Sequence, residues 1–170
     1  AIGLVGSEMC IRDRYKNLVA SYDDNKEGLK RFTQAYLACV TAVDENIGQV
    51  LDAVNKTKLK ENTIVIIASD HGWTMGEKEH VYKNSLWEES TRVPLIIRAP
   101  GVSKPDKKVN HPVSLIDVYP TLLDLAGLDF NTKKNETGSS LNGFSLKPFL
   151  KNPEKNNWDG PKAALTVVYS

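Results

Sequence analysis

Two side chains that can bind a metal ion stand next to each other in this sequence. Asp70 and His71 directly follow the apolar run TIVIIAS at 63–69, and Gly72 lets the backbone turn sharply after them. A carboxylate oxygen suits hard cations such as Ca²⁺ and Mg²⁺, and either side chain suits Zn²⁺. On this dipeptide alone a structural interpretation is favoured, in which Asp70 caps the next turn and His71 bonds a backbone carbonyl. Two residues cannot make a metal site by themselves.

Two further candidates follow in the same polar segment. His80 could donate a proton to a leaving-group oxygen, or it could be a loop histidine that bonds the backbone. Lys83 lies thirteen positions after Asp70 and, by residue type alone, is expected to be a solvated surface residue. Both residues need a structural context before either is given a chemical role.

The elements around these residues predict an α/β fold. Apolar residues recur at steps of three or four from Gly28 to Lys56, which predicts a long amphipathic helix. The β-branched run from Thr63 to Ser69 predicts a strand buried on both faces, as in a parallel sheet flanked by helices. In open α/β sheets ligands bind beyond the carboxyl ends of the strands, which is where Asp70 would lie.

The second half of the chain predicts shorter elements. PLIIRA at 94–99 predicts a strand, and SLIDVYPTLLDLAGL at 114–128 predicts a helix that Ser114 or Asp117 can cap. Gly127 stands where a left-handed residue ends a helix. NTKKNETGSSLNG at 131–143 predicts a loop, and the apolar run AALTVVYS at 163–170 predicts a strand that is cut short.

Composition argues against several classes of protein. The 170 residues include 22 Lys and Arg against 21 Asp and Glu, a net charge of +1, without a long block of like charge. Neither a nucleic-acid-binding stripe nor a polybasic membrane patch is predicted, so we expect no nucleic-acid partner. No apolar run approaches the roughly 20 residues of a transmembrane helix. Cys10 and Cys39 lack any metal-type spacing.

The segment SDHGWTMGEKEHVYKNSLWEESTRVPLIIRAPG at 69–101 resembles the sulfatases and, more broadly, the alkaline-phosphatase superfamily. The resemblance extends to about residues 29–150, because the segments at 36–54, 114–128 and 141–150 look like the flanking parts of the same domain. The spacing from Asp70 to Lys83 is similar to that of the iduronate-2-sulfatase-like branch. The fold that this resemblance implies is part of a sulfatase or alkaline-phosphatase-like α/β domain, with a mainly parallel sheet flanked by helices.

The resemblance implies a role for each candidate residue. Asp70 and His71 match the late pair of ligands for one Ca²⁺ ion, which the family holds together with two earlier aspartates and a formylglycine. Lys83 matches the lysine that contacts the sulfate, and His80 is the candidate proton donor to the leaving-group oxygen. The formylglycine is expected in the missing N-terminal part. The expected partner is a sulfated small molecule or glycan, and the expected location is periplasmic or secreted, or lysosomal in a eukaryote.

The chain is expected to be a fragment with a non-native start. EMCIRDR at 8–14 resembles the translation of a transposon end used to prepare sequencing libraries, so residues 1–14 are excluded from fold reasoning. Residues 15–170 are expected to be a partial sulfatase catalytic domain, truncated at both ends. Cys10 and Arg14 have the spacing of the family's formylglycine motif, but other residues replace its Pro and Ser. Asn55 and Asn135 begin possible glycosylation sequons.

The predicted function is metal-dependent hydrolysis of sulfate esters by the full-length parent, with the fragment itself inactive. One alternative is a phosphonate monoesterase or phosphodiesterase of the same superfamily, because the nucleophile that separates these chemistries is not in the sequence. Another is a noncatalytic α/β module that binds a cation or a sulfated glycan.

Overall fold

The structure is a computed structural model that describes residues 13–131, 138–155 and 157–167. These residues divide into two compact units: 13–60, 68–94 and 166–167 form the first, and 61–67, 95–131, 138–155 and 157–165 form the second. The described elements, apart from three short 3₁₀ turns, are α1 (13–20), α2 (Asn25–Asn55), β1 (Val65–Ala68), β2 (Thr74–Met75), β3 (Val81–Tyr82), α3 (Glu88–Thr91), β4 (Leu95–Arg98), α4 (Val118–Ala126) and α5 (Lys147–Lys151).

Helix α2 is the longest element of the first unit and confirms the predicted helix. It starts at Asn25 because the Asp24 carboxylate accepts the amide hydrogen of Lys26 at 2.8 Å, an N-cap bond. It runs for 31 residues to Asn55. Its apolar stripe is only half-buried at Leu29 and Phe32 and is exposed farther along, at Leu37, Val40, Val43 and Val50. None of the described helices is long and apolar enough to cross a bilayer.

A small antiparallel hairpin follows the Asp70-His71-Gly72 segment in the first unit. Thr74 of β2 pairs with Tyr82 of β3, and Met75 pairs with Val81. A 3₁₀ turn over Glu77–Glu79 connects the two strands. Thr74 and Val81 are completely or almost completely buried, so this hairpin is among the best-packed parts of the unit.

Strands β1 and β4 pair with each other and confirm the two predicted strands with shorter bounds. The prediction that β1 is buried on both faces is wrong: its first three residues are half-buried and Ala68 is exposed. The reason is that β4 is its one strand neighbour in the described part of the chain, so the two-stranded sheet offers too little neighbouring surface to cover both faces.

The second unit is organised around α4, whose predicted caps are confirmed. Ser114 and Asp117 form a capping box around a 3₁₀ turn that leads into α4. Gly127 ends α4 in the left-handed conformation, at φ 67° and ψ 31°. Asp117 is buried, and its second carboxylate oxygen accepts the amide hydrogen of Phe144 at 2.8 Å, so it joins α4 to the loop before α5.

Two sequence predictions concern the loops and the end of the chain. Residues 164–167 form no strand, although the apolar run there predicted one, because this stretch has no strand to pair with in the described structure. The predicted loop at 131–143 is irregular at 131 and at 138–143. Asn135 lies outside the described residues, and Asn55 is the last residue of α2.

Candidate active site

Asp70 and His71 place two atoms of metal-ligand type close together just after β1. The His71 Nε2 atom lies 3.6 Å from the Asp70 Oδ1 atom. The Asp70 side chain is 84% exposed and that of His71 is 30% exposed, so a cation could approach both from solvent. The structure therefore brings the two predicted ligands together on an accessible surface.

A hydrogen bond to the backbone determines which nitrogen of the His71 ring keeps a lone pair that could bind a cation. The Nδ1 atom lies 2.8 Å from the Gly72 carbonyl oxygen. A carbonyl oxygen only accepts hydrogen bonds, so Nδ1 must carry the hydrogen in this contact. The neutral ring then keeps its lone pair on Nε2, the atom that faces Asp70, and this is the arrangement that a metal-ligating histidine uses.

The spacing of the two atoms fits a shared cation. Two ligands at about 2.4 Å from one Ca²⁺ ion and at right angles to each other are about 3.4 Å apart. The observed 3.6 Å agrees with this estimate. Within the described residues no group of three or more His, Cys, Asp or Glu side chains could hold a metal ion. A cation site at this pair would take two donors from it and would need others.

Position 72 requires glycine because of a close backbone contact, and not because of the sharp turn that the sequence predicted. Its amide donates to the Ser90 carbonyl at 2.8 Å, and the Trp73 amide donates to the Glu89 carbonyl at 2.6 Å. A Cβ atom at Gly72 would lie 2.1 Å from the Glu89 carbonyl oxygen. Glycine is required because two backbone segments approach closely there, whereas the φ of Gly72 is not in the left-handed region.

His80 is buried, with 8% exposure, and is bonded to a side chain that the sequence did not single out. Its Nδ1 atom lies 2.6 Å from the Thr74 hydroxyl oxygen, and that hydroxyl donates to the Tyr82 carbonyl at 2.6 Å. The single hydroxyl hydrogen goes to the carbonyl, so His80 Nδ1–H must be the donor to Thr74. The His80 Nε2 atom is buried and has no partner in the part of the chain that the structure describes.

Lys83 follows a residue with an unusual backbone conformation. Tyr82 has a φ of 77°, which is rare for a residue with a large side chain. Lys83 is exposed and lines a shallow cavity of about 180 Å³ with Trp73, Val81 and Asn84. Arg14 also lines this cavity.

Trp73 connects the two halves of the candidate site. Its ring stacks on the His71 ring, with centroids 6.0 Å apart and planes 28° apart, and it also lines the cavity of Lys83. Tyr36 of α2 stacks on Trp73 at 5.9 Å, and Tyr82 packs edge-on against it at 5.2 Å. The Trp73 ring thus contacts both His71, a member of the candidate pair, and Tyr82, the residue before Lys83.

The acidic and basic residues after the hairpin make local contacts. Arg92 and Glu88 form an exposed ion pair at 2.9 Å, one helical turn apart. Glu89 contributes its backbone carbonyl to the bond with Trp73. Thr74 was missed because nothing in its residue type or spacing separates it from an ordinary strand residue.

Comparison with known proteins supports the resemblance. The family model described as "Sulfatase" matches residues 11–128. A sulfatase of Formosa agariphila is 46% identical over 99 residues, which are 58% of this chain and 19% of that protein. A protein solved in complex with its substrate D-glucosamine-2-N,6-O-disulfate has a TM-score of 0.72 and 37% identity, over 82% of this chain and 27% of its own.

A phosphonate monoester hydrolase from Silicibacter pomeroyi has a similar fold, with a TM-score of 0.68 and 32% identity over 78% of this chain and 24% of its own. The chain thus spans between about a fifth and just over a quarter of the length of these proteins. The solved neighbours are α/β domains of the alkaline-phosphatase-like superfamily, which confirms the predicted fold class. Because the family model covers more than half of the sequence, this chain belongs to the sulfatase family.

Proposed function

We propose that the full-length parent of this chain hydrolyses sulfate esters to an alcohol and inorganic sulfate with the help of a divalent cation. The observation that carries the proposal is the pairing of the His71 Nε2 atom with the Asp70 Oδ1 atom at 3.6 Å. Sulfatases are in general cation-dependent enzymes with a formylglycine nucleophile, and two accessible donors with this separation suit such a cation.

Asp70 and His71 would hold the cation, for which we propose Ca²⁺. When bound, such a cation acts as a Lewis acid on the sulfate oxygens. The Asp70 carboxylate provides a hard oxygen ligand, and the His71 ring provides Nε2 because its other nitrogen is engaged by the Gly72 carbonyl. The remaining ligands and the formylglycine belong to the part of the parent that we expect upstream.

Lys83 would bind the sulfate group. Its ammonium group is exposed and lines a cavity of about 180 Å³, which is large enough for a sulfate ion. A fixed positive charge compensates negative charge that shifts onto the sulfate oxygens in the transition state. His80 is proposed as the proton donor to the leaving-group oxygen. Because Nδ1–H is bonded to Thr74, the donated proton would be carried by Nε2 of the doubly protonated ring, and the buried Nε2 atom would have to become accessible when substrate binds.

The proposed substrate is a sulfated small molecule or glycan. The solved protein that is bound to D-glucosamine-2-N,6-O-disulfate covers 82% of this chain at 37% identity, which favours a sulfated sugar. A periplasmic or secreted location, or a lysosomal one in a eukaryote, would match such a substrate.

A second candidate function is hydrolysis of phosphonate monoesters. It is favoured by the similarity to the phosphonate monoester hydrolase, which has a TM-score of 0.68 to this chain. A cation held by Asp70 and an ammonium group at Lys83 would serve phosphoryl and sulfuryl transfer equally, so the two functions are separated by substrate and not by these residues.

The test is a substrate panel on the full-length parent. We expect turnover of sulfate esters to exceed that of phosphonate monoesters, and Asp70→Ala or Lys83→Ala to lower kcat about 100- to 1000-fold while circular dichroism stays unchanged. Asp44→Ala and Lys108→Ala, two exposed residues outside the site, serve as controls. Wild-type rates in both site variants would refute the site, and activity confined to phosphonates would refute the sulfatase assignment.

A further inference from the structure

We propose that Thr74 is a positioning residue for Lys83, acting through the backbone of Tyr82. This inference rests on the proposed function, because it gives Lys83 the task of binding an anion. It concerns the three-residue chain of hydrogen bonds from His80 to Thr74 to the Tyr82 carbonyl, which we call the Thr74 clamp.

The first argument is the conformation that the clamp holds. Tyr82 has a φ of 77°, and residues with large side chains adopt this conformation only when their surroundings enforce it. The Thr74 hydroxyl donates to the Tyr82 carbonyl at 2.6 Å, next to the peptide bond that leads into Lys83. The clamp therefore acts on the backbone that directs the Lys83 side chain.

The second argument is that the Thr74 hydroxyl is buried and makes its hydrogen bonds inside the protein. The Thr74 side chain is fully buried, and its one hydrogen and one of its lone pairs are both used, by the Tyr82 carbonyl and by His80 Nδ1–H. Lys83 itself is exposed. An exposed lysine has many rotamers, and fixing its backbone limits the directions in which its ammonium group can point.

The third argument is that the ring of Tyr82 is held as well. Trp73 packs against it at 5.2 Å and Phe32 of α2 packs edge-on at 5.8 Å. The ring is thus held by these two aromatic neighbours, with the Arg14 guanidinium 5.4 Å from its centroid, while the carbonyl is held by Thr74. Loss of the hydroxyl alone would free the peptide between Tyr82 and Lys83 without removing the aromatic packing.

The test compares two buried threonines in the full-length parent. Thr121 is also fully buried, and its hydroxyl also donates to a carbonyl at 2.6 Å, that of Asp117, and accepts one N–H, that of Leu146. Thr74→Val and Thr121→Val therefore remove equivalent bonds, one inside the clamp and one in the second unit. Thr74→Ser keeps the hydroxyl and is the rescue variant.

The first readout is binding of inorganic sulfate, measured by calorimetry. Sulfate has no leaving group, so proton donation by His80 does not enter the measurement. We expect Thr74→Val to raise the dissociation constant for sulfate about tenfold, whereas Thr74→Ser and Thr121→Val should leave it unchanged. In a protein that already carries Lys83→Ala, Thr74→Val should not raise the dissociation constant further. Equal weakening by Thr121→Val, or an undiminished effect of Thr74→Val without Lys83, would overturn the proposal.

The second readout does not depend on activity or on sulfate. Amide hydrogen exchange, followed by mass spectrometry, should become faster over residues 80–84 in Thr74→Val but not in Thr121→Val. Unchanged exchange there would overturn the clamp even if the parent is an active sulfatase. Conversely, a parent that does not act on sulfate esters would refute the proposed function, and faster exchange would still support the clamp.

Discussion

The His71 Nε2 atom faces the Asp70 Oδ1 atom at 3.6 Å, although the two side chains belong to consecutive residues. Side chains of consecutive residues in a strand point to opposite sides, but Asp70 lies in a bend just after β1, where this alternation does not apply. The hydrogen bond from His71 Nδ1–H to the Gly72 carbonyl orients the imidazole, and the Trp73 ring supports it from one side. The geometry of the proposed cation ligands thus involves four consecutive residues, 70–73.

Because the described residues bring together two donors at this place and Ca²⁺ takes about six to eight, we predict weak cation binding by the 170-residue chain. Calorimetric titration with Ca²⁺ should give a dissociation constant of about 1 mM or weaker, and Asp70→Asn should abolish the signal. Asp44→Asn, an exposed carboxylate on α2, is the matched control. Micromolar binding, or binding that survives Asp70→Asn, would contradict the assignment. Negligible sulfatase turnover by this chain is expected for the same reason.

Gly72→Ala is predicted to destabilise the first unit. The added Cβ atom would lie 2.1 Å from the Glu89 carbonyl oxygen. The atoms that it would meet belong to the backbone of Glu89 and Ser90, which cannot rotate away as a side chain could. We expect the free energy of unfolding in urea to fall by about 1 to 3 kcal/mol or more. Gly48→Ala is the matched control, because a Cβ atom there meets nothing within 4 Å and alanine favours a helix. Equal stability of the two variants would show that the close approach is not enforced.

A partly buried ion pair makes the stability of the second unit depend on pH. The Asp124 carboxylate bonds Lys147 Nζ at 2.7 Å and the Ser145 hydroxyl at 2.6 Å. Burial alone would raise the pKa of Asp124, but these hydrogen bonds and the charge of Lys147 hold that pKa below its usual value. A carboxyl whose pKa is lower in the folded state stabilises the fold above its unfolded pKa, and this stabilisation is lost as pH falls through the folded pKa.

Asp124→Asn should therefore lower the free energy of unfolding by about 1 kcal/mol at pH 7. The difference from the wild type should shrink as the pH falls from the ordinary pKa of an aspartate through the lower pKa of Asp124 in the folded protein. Urea unfolding at pH 7 and at pH 3 measures both. Asp129→Asn, an exposed carboxylate, serves as the control. A difference that stays constant between the two pH values would mean that the charge of Asp124 contributes nothing.

Periodic patterns predicted the main elements of this fold, and local contacts explain what they did not predict. The apolar residues at steps of three or four predicted the bounds of α2 to within a few positions. The predicted capping residues of α4 are confirmed. The sequence does not reveal why position 72 requires glycine, because the backbone that approaches it belongs to Glu89, seventeen positions later. Thr74 was missed because its role depends on a hairpin register, Thr74 opposite Tyr82, that leaves no mark on the sequence around it.

The role of His80 can be separated from that of the Thr74 clamp by varying the leaving group. If His80 protonates the leaving-group oxygen, its loss matters more for alcohols that are poor leaving groups than for acidic phenols. We expect His80→Ala in the full-length parent to lower kcat/KM about 100- to 10,000-fold for alkyl or sugar sulfates and much less for activated aryl sulfates. His80→Gln, which can still donate a hydrogen bond but not a proton, should behave like His80→Ala. Equal losses across all leaving groups would mean that the buried His80 ring acts only by holding Thr74.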